Sequence, residues 1–251
     1  MKFIPNCCTS GTTPGNPGRR NWLKAGASTG LAVATGLALT PGKASAASLT
    51  QTQRDAMTPD QVIEMLREGN ARFRSGKMQS HDFLAQKRAT ATGQYPAAVI
   101  LSCIDSRAPA EIIFDTGIGD AFGARIAGNI STPDLIGSME FACAAAGAKL
   151  VLVLGHTACG AIAGAINGVK LGNLTGLLEQ ITPAVQATPY SGERTGRNAE
   201  FVNAVARQNV LHTMEIIRTN SPVLAGLEKE NRIKISGAMY DLSNGEVTFL
   251  N

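Results

Sequence analysis

The chain has 251 residues, of which 44% are hydrophobic and 5% aromatic, so it can bury a substantial core made mainly of aliphatic side chains. Its net charge of +4 is concentrated in residues 1–46, which hold five basic residues and no acidic one. The rest of the chain has 18 basic and 19 acidic residues, a balance that gives a nucleic-acid partner no support, and none is expected.

The first 46 residues have the pattern of an export signal. Arg19-Arg20 is followed by an apolar stretch over residues 25–39 and then by Ala44-Ser45-Ala46, a small-residue cleavage pattern. The apolar stretch is too short to span a bilayer comfortably as a helix. We predict a cleaved twin-arginine signal over residues 1–46, with a mature protein that is periplasmic (or in an equivalent compartment) and has no membrane partner. A basic tail and a retained membrane anchor are the alternatives.

The number of cysteines outside the predicted export signal is odd. Cys7 and Cys8 fall within the signal, which leaves Cys103, Cys143 and Cys159. An odd number of cysteines in an exported protein argues against a disulfide framework. Because the twin-arginine route carries folded proteins, thiolates could bind a metal ion in the reducing cytoplasm before export.

Helices are predicted to precede the main body of the chain. Residues 47–57 are polar and are interpreted as a linker. Thr58 is a suitable N-cap and Pro59 a suitable first helical residue, so an N-terminal arm helix is expected to run to about Gly76. A second helix is predicted over residues 84–92.

Three runs of consecutive apolar residues predict strands that are buried on both faces of a parallel sheet. These runs cover residues 97–102, 121–127 and 150–155. Helical patterns lie between and after them, over residues 132–146, 160–166, 174–185, 198–219 and 222–230.

The last two apolar segments predict an antiparallel pair of strands. They cover residues 233–242 and 246–250, and Asn244-Gly245 between them is a strong hairpin signal. The predicted fold class is therefore α/β. One domain over residues 58–251 would hold a mostly parallel sheet of four to five strands, flanking helices, an antiparallel edge strand and the N-terminal arm helix.

Two groups of metal-binding side chains follow the first and third predicted strands. Cys103 comes just after the first strand, and His156 and Cys159 come just after the third. In open parallel sheets, ligand sites collect at these strand ends. Two thiolates and one imidazole hold zinc and leave a fourth position open, as in catalytic sites. We predict one zinc ion per chain at these residues, whereas Cys143, among alanines, is interpreted as a small buried hydrophobe.

The paired motifs resemble those of a known family. Cys103-x-Asp105-Ser106-Arg107, followed later by His156-x-x-Cys159, is similar to the motifs of the β-class carbonic anhydrases. The resemblance covers nearly all of the chain after the signal and includes residues 125–129 and 138–142. It implies that Cys103, His156 and Cys159 are the permanent zinc ligands. It also implies reversible hydration of carbon dioxide to bicarbonate and a proton by hydroxide held on zinc.

The resemblance assigns catalytic roles to Asp105 and Arg107. In the family, Asp105 either occupies the fourth zinc position or pairs with Arg107 and leaves that position to water. The second state is expected to be the active one, because the arginine fork fits a carboxylate and keeps it ionised and oriented. Asp105 then accepts the proton of the attacking hydroxide.

Four further residues are expected to bind substrate by the same resemblance. Gln94 corresponds to a glutamine that usually comes from the neighbouring subunit of a dimer, so a homodimer or larger homo-oligomer is implied. Phe122 and Ala127 match the apolar wall of the carbon dioxide pocket. The backbone N–H of Gly160 is expected to orient bicarbonate.

Two other functions compete with hydration of carbon dioxide. Hydrolysis of carbonyl sulfide or carbon disulfide uses similar ligands on the same fold, and channel geometry would separate it. A catalytically silent zinc-binding or bicarbonate-binding homologue is the other alternative. Intact Asp105, Arg107 and Gln94 argue against a silent protein, because such a protein has no chemical need for all three.

Overall fold

The structure is a computed structural model, and it describes residues 48–250. The predicted export signal over residues 1–46 lies outside the described residues. Among the described helices, none is long and apolar enough to cross a membrane.

One five-stranded sheet organises the described chain, in the order β2-β1-β3-β4-β5. The strands are β1 Ala98–Ser102, β2 Ala121–Arg125, β3 Leu150–His156, β4 Lys234–Tyr240 and β5 Val247–Leu250. The first four run parallel, and β5 pairs antiparallel with β4. The predicted fold class, with its antiparallel edge strand, is confirmed.

Ten α-helices flank this sheet in the described residues. They are α1 Gln51–Ala56, α2 Pro59–Arg74, α3 Phe83–Thr90, α4 Ala110–Ile113, α5 Pro133–Glu140, α6 Gly160–Ile166, α7 Gly172–Glu179, α8 Thr182–Ala187, α9 Ala199–Asn220 and α10 Pro222–Lys229. A 3-10 turn covers Ala127–Asn129, and a π-helical turn over Phe141–Ala145 continues α5. The helix predicted over residues 174–185 is two helices, because Pro183, the second residue of α8, lacks the N–H that would continue the hydrogen bonds of the preceding helix.

The interpretation of residues 47–57 as a linker is wrong, because α1 occupies most of that segment. The Thr50 side chain accepts a hydrogen bond from the Gln53 N–H, and the Gln53 side chain accepts one from the Thr50 N–H. This capping box satisfies two N–H groups that the first turn would otherwise leave unpaired. Arg54 is buried and donates to the Ala146 carbonyl, which fixes α1 to the body of the protein.

The core lies on both faces of the sheet, as the continuous apolar strands predict. Every residue of β1 and β3 is buried. Alternate residues point to opposite faces, so Ile100 and Leu152 pack on the face covered by α2 and α4, and Val99 and Val151 pack on the face covered by α5, α9 and α10. Strand β2 is only partly buried because it is an edge strand.

A close contact between α9 and β3 positions the end of β3. A Cβ atom at Gly155 would lie 2.6 Å from Cγ2 of Val210, so only glycine lets the helix approach the strand this closely. Gly155 directly precedes His156. Helix α9 therefore lies against the end of β3 at which His156 is placed.

Candidate metal centre

Three buried side chains converge where β1 and β3 end. These strands are direct neighbours, with Ser102 beside Leu154 in the register. Cys103 follows the first strand, His156 ends the second, and Cys159 directly precedes α6. Their ligand atoms all lie within 4.8 Å of one another. The three residues that the sequence predicts as zinc ligands are thus brought together.

His156 presents one nitrogen to this group. Its Nδ1 donates to the Thr157 carbonyl, 2.8 Å away, so the proton is on Nδ1 and the lone pair is on Nε2. Nε2 is buried and makes no hydrogen bond to any residue between 48 and 250. A buried nitrogen with a free lone pair beside two thiols is chemically suited to bind a metal ion.

The two sulfur atoms affect each other strongly. The hydrogen bond from the Cys159 thiol lowers the pKa of Cys103 to about 4, and the Gly128 N–H, 3.4 Å from the sulfur, contributes although burial opposes the shift. The neighbouring Cys103 and then burial raise the pKa of Cys159 far above its ordinary value. The second thiol therefore keeps its proton until a cation compensates the added charge. Two thiolates and an imidazole whose ligand atoms lie within 4.8 Å of one another are suited to bind zinc.

Asp105 is not part of the ligand group, because its carboxylate faces Arg107. Nε of Arg107 lies 3.0 Å from Oδ1 and Nη2 lies 2.8 Å from Oδ2. Oδ1 also accepts the backbone N–H of Arg107 at 2.9 Å, which closes a tight turn. Oδ2 nevertheless lies only 3.9 Å from Nε2 of His156. Of the two predicted states of Asp105, the structure has the one paired with arginine.

The Asp105 carboxylate is therefore strongly ionised. Hydrogen bonds from the Arg107 side chain hold the pKa of Asp105 well below its usual range, although partial burial acts in the opposite direction. A carboxylate in this position accepts hydrogen bonds and does not donate them. It can thus orient a water or hydroxide beside the three ligands.

Two residues that hold the ligand loops were not predicted to have this role. Arg125 donates from Nε to the Cys103 carbonyl at 2.9 Å and from Nη2 to the Asp105 carbonyl at 2.6 Å. Asn203 on α9 accepts the N–H of Ala158, which has a φ of +52°. That left-handed conformation is unfavourable for alanine and turns the chain between His156 and Cys159. The side chains of Arg125 and Asn203 bind backbone groups, and a contact of this kind leaves no signal in the sequence.

An apolar cavity of about 360 Å³ opens beside the ligands. Its lining includes Cys103 and Asp105, the predicted substrate-binding residues Ala127 and Gly160, and the apolar side chains Ile104, Ala161, Val169, Leu174 and Leu178. The cavity therefore combines one charged edge with an otherwise apolar wall. Such a site suits a small uncharged molecule that reacts at the metal.

Two predicted substrate-binding residues do not line this cavity within one chain. Gln94 is exposed in the loop before β1. Phe122 lies on β2 beside Val99, and its ring meets the edge of the Phe141 ring at 6.1 Å between centroids. Phe122 lies away from the cavity of its own chain because it stands near the beginning of β2, whereas the ligand group lies where β1 and β3 end, so its role in substrate binding stays a prediction.

Comparisons with known proteins agree with the geometry. The profile of the carbonic anhydrase family matches residues 98–247. The chain is 36% identical to carbonic anhydrase 2 of Mycobacterium tuberculosis over 193 residues, which is 74% of this chain and 90% of the relative. The chain belongs to the carbonic anhydrase family. Carbonic anhydrase of Mycolicibacterium smegmatis is 33% identical over 191 residues, covering 75% of this chain and 92% of the relative.

The described residues have the fold of the β-class carbonic anhydrases. A tetrameric β-carbonic anhydrase from Sordaria macrospora superposes with a TM-score of 0.59 at 24% identity, covering 76% of this chain and 98% of that chain. The parallel sheet with one antiparallel edge is common to both. The Cys-His-Cys group at the strand ends fits the zinc that β-class carbonic anhydrases use.

Proposed function

We propose that this chain is a zinc-dependent enzyme that reversibly hydrates carbon dioxide to bicarbonate and a proton. One observation carries the proposal: Cys103, His156 and Cys159 form a buried ligand group beside the ionised Asp105 carboxylate. A structural zinc site would have four protein ligands and no such neighbour. Asp105 and Arg107 are the catalytic residues, and Cys103, His156 and Cys159 are the zinc ligands.

The three ligands, Asp105 and Arg107 have different roles in the proposed reaction. A zinc ion held by the three ligands would lower the pKa of a bound water to about 7 and so supply a nucleophile near neutral pH. Oδ2 of Asp105, 3.9 Å from Nε2 of His156, is the acceptor that would orient this nucleophile towards the cavity by a hydrogen bond. Arg107 holds Asp105 in this orientation.

The cavity binds the substrate and limits access of competing water. Carbon dioxide has no net charge or dipole, and the apolar side chains Val169, Leu174 and Leu178 offer it dispersion contacts. Gly160 is exposed, begins α6 and lines the cavity, which supports a role for its backbone N–H as a donor to bicarbonate. Ala127 completes the wall.

Stopped-flow hydration of carbon dioxide tests this function. The zinc-loaded protein should hydrate carbon dioxide at pH 8.5, whereas zinc binding at one ion per chain without hydration would contradict the proposal. Carbonyl sulfide and carbon disulfide should be offered in parallel. Both mycobacterial relatives are named carbonic anhydrases, so the sulfur substrates and the silent homologue are not favoured.

We propose in addition that a second copy of the chain completes each active site with Gln94 and Phe122. Phe141, whose ring packs against Phe122, is 59% exposed, and Gln94 is also exposed. A large exposed aromatic side chain beside an edge strand is typical of an interface between subunits. The smallest assembly that supplies both residues is a homodimer.

Mixed dimers test where Gln94 acts. Asp105→Asn and Gln94→Ala chains should be co-expressed with different tags and compared with each variant alone. If Gln94 serves the neighbouring subunit, each mixed dimer has one intact site of two; because about half of the dimers in a random mixture are mixed, the activity of the mixture should rise to about a quarter of wild type. If Gln94 serves its own chain, no site in the mixture is intact and activity stays at the level of the single variants.

We propose that residues 1–46 direct export to the periplasm by the twin-arginine route. The support is the sequence alone: Arg19-Arg20, the short apolar stretch and Ala44-Ser45-Ala46. The buried thiols are compatible with zinc loading before export. An Arg19→Lys/Arg20→Lys variant should accumulate in the cytoplasm in a fractionation experiment, and normal export of that variant would show that the signal is misinterpreted.

A further inference from the structure

We propose that Asn209 is a positioning residue of the metal centre, which holds the turn whose backbone N–H contacts the Cys103 sulfur. Asn209 lies on α9 and has no contact with the ligand atoms themselves. The inference rests on the zinc site of the proposed function and names an outer residue that controls it.

The connection consists of two hydrogen bonds through one residue. Nδ2 of Asn209 donates to the Gly128 carbonyl at 2.8 Å. The N–H of the same Gly128 donates to Sγ of Cys103 at 3.4 Å, a normal distance for sulfur. Position 209 is thus linked to the metal ligand through a single glycine, although 81 residues separate it from Gly128.

Gly128 needs such an anchor because its backbone is intrinsically free. Its φ is +71°, a left-handed conformation that glycine adopts without steric cost but leaves easily. A side chain could not take over the task, since a Cβ there would lie 2.7 Å from Cδ1 of Ile181. The turn is closed on one side by the hydrogen bond from the Asn129 N–H to the Ile126 carbonyl, and Asn209 holds it from the other side.

The burial of Asn209 shows that packing alone does not explain an amide at this position. Asn209 is 0% exposed, and its Oδ1 makes no hydrogen bond to any of the described residues. A leucine would remove the unpaired Oδ1 of Asn209, but it would leave the buried Gly128 carbonyl without the donor that Asn209 supplies. The hydrogen bond to Gly128 is the interaction that the amide makes and leucine cannot.

Zinc affinity of an Asn209→Leu variant tests the proposal without depending on catalysis. Competition with a chromophoric chelator should show a zinc Kd at least about tenfold weaker than that of wild type, as expected when an outer partner of a metal ligand is removed. The cobalt(II)-substituted protein should also show a shifted thiolate-to-cobalt absorption band, because the Cys103 sulfur is no longer held by the Gly128 N–H. Ile217→Val is the control, since Ile217 is fully buried on the same helix but packs in the cluster along the C-terminal half of α9, which does not contain Cys103.

The outcomes separate positioning from general destabilisation. Equal loss of zinc affinity in both variants, or an Asn209→Leu protein with a zinc Kd within twofold of wild type and an unchanged cobalt spectrum, overturns the proposal. If Asn209→Leu does not fold, Asn209→Ser is measured by the same criteria, because serine is smaller and cannot reach Gly128. Failure of the wild-type protein to bind zinc would instead refute the proposed function.

Discussion

Arg107 holds both carboxylate oxygens of Asp105, with Nε 3.0 Å from Oδ1 and Nη2 2.8 Å from Oδ2. The arginine side chain is 58% exposed and the aspartate side chain 16% exposed. Solvent therefore weakens the attraction between the charges, and the pair owes its order to the bidentate geometry and to the turn that joins the two residues. Its value to the protein is orientation of the carboxylate next to His156 rather than stability.

The first prediction concerns the charge of Asp105. Asp105→Asn keeps the shape of the side chain but removes its negative charge and replaces one of its two acceptor oxygens by an NH2 donor, so kcat for hydration should fall by about 100-fold or more. Zinc content should remain at one ion per chain, because Asp105 is outside the ligand group. Asp134→Asn in the first turn of α5 is the control and should leave kcat unchanged. Wild-type kcat in Asp105→Asn would remove Asp105 from the mechanism.

The second prediction separates the ligand cysteines from the buried one. Cys159→Ser should lose bound zinc and all hydration activity, since the serine hydroxyl is a poor zinc ligand. Cys143→Ser should keep its zinc, because burial raises the pKa of Cys143 to about 12 and no metal-binding group surrounds it in the described residues. Elemental analysis measures the zinc content per chain of both variants. Removal of zinc from the wild-type protein by a chelator should abolish hydration activity, as Cys159→Ser does. Loss of zinc from both variants would contradict the assignment.

The third prediction concerns acid stability and the buried Asp115. Its side chain is fully buried and lies 2.5 Å from Nε of Arg72 and 3.1 Å from Nε2 of His81. Burial alone would raise the pKa of Asp115, but the hydrogen bonds from Arg72, the Gln79 N–H and His81 outweigh it and leave the pKa below its ordinary value of 3.8. The folded state therefore gains stability from ionised Asp115 above about pH 4 and loses it as the pH falls further.

Asp115→Asn tests this contribution. Asparagine tolerates the positive φ of 49° at this position, so the backbone should not change. The free energy of unfolding in urea at pH 7 should fall by about 1–3 kcal/mol, the usual cost of losing hydrogen bonds to a charged group. The difference from wild type should shrink below pH 4. A difference that stays constant down to pH 3 would show that the charge of Asp115 is not responsible.

The fourth prediction concerns the interface with a second copy. Phe141→Glu places a charge in the exposed aromatic patch formed with Phe122, so the assembly should dissociate to monomers in sedimentation velocity. Hydration activity should fall with it if Gln94 is supplied by the partner. Val223→Glu, at an exposed apolar position on α10, is the control. An intact dimer with full activity in Phe141→Glu would exclude this face as the interface.

Much of the fold follows from local patterns. The continuous apolar strands β1 and β3 predict a sheet covered on both faces, and Asn244-Gly245 predicts the final hairpin, in which Gly245 has a φ of +76°. The linker interpretation failed because a helix of six residues has little periodicity, although its capping box at Thr50 and Gln53 was visible. Here the cap is a better signal than the apolar pattern.

By itself, the sequence predicted the ligand residues and their chemistry, because Cys103 directly follows one buried strand, His156 ends another and Cys159 lies three residues later. Only the tertiary structure decided that Asp105 pairs with Arg107, that Phe122 lies away from the cavity of its own chain, and that Asn203 and Asn209 on α9 hold the ligand loops. The physical reason is that the positions of strands along the chain can be inferred from local patterns, whereas their order in the sheet depends on tertiary packing. The direction of a side chain and its hydrogen bonds to distant backbone groups depend on how α9 packs against the sheet.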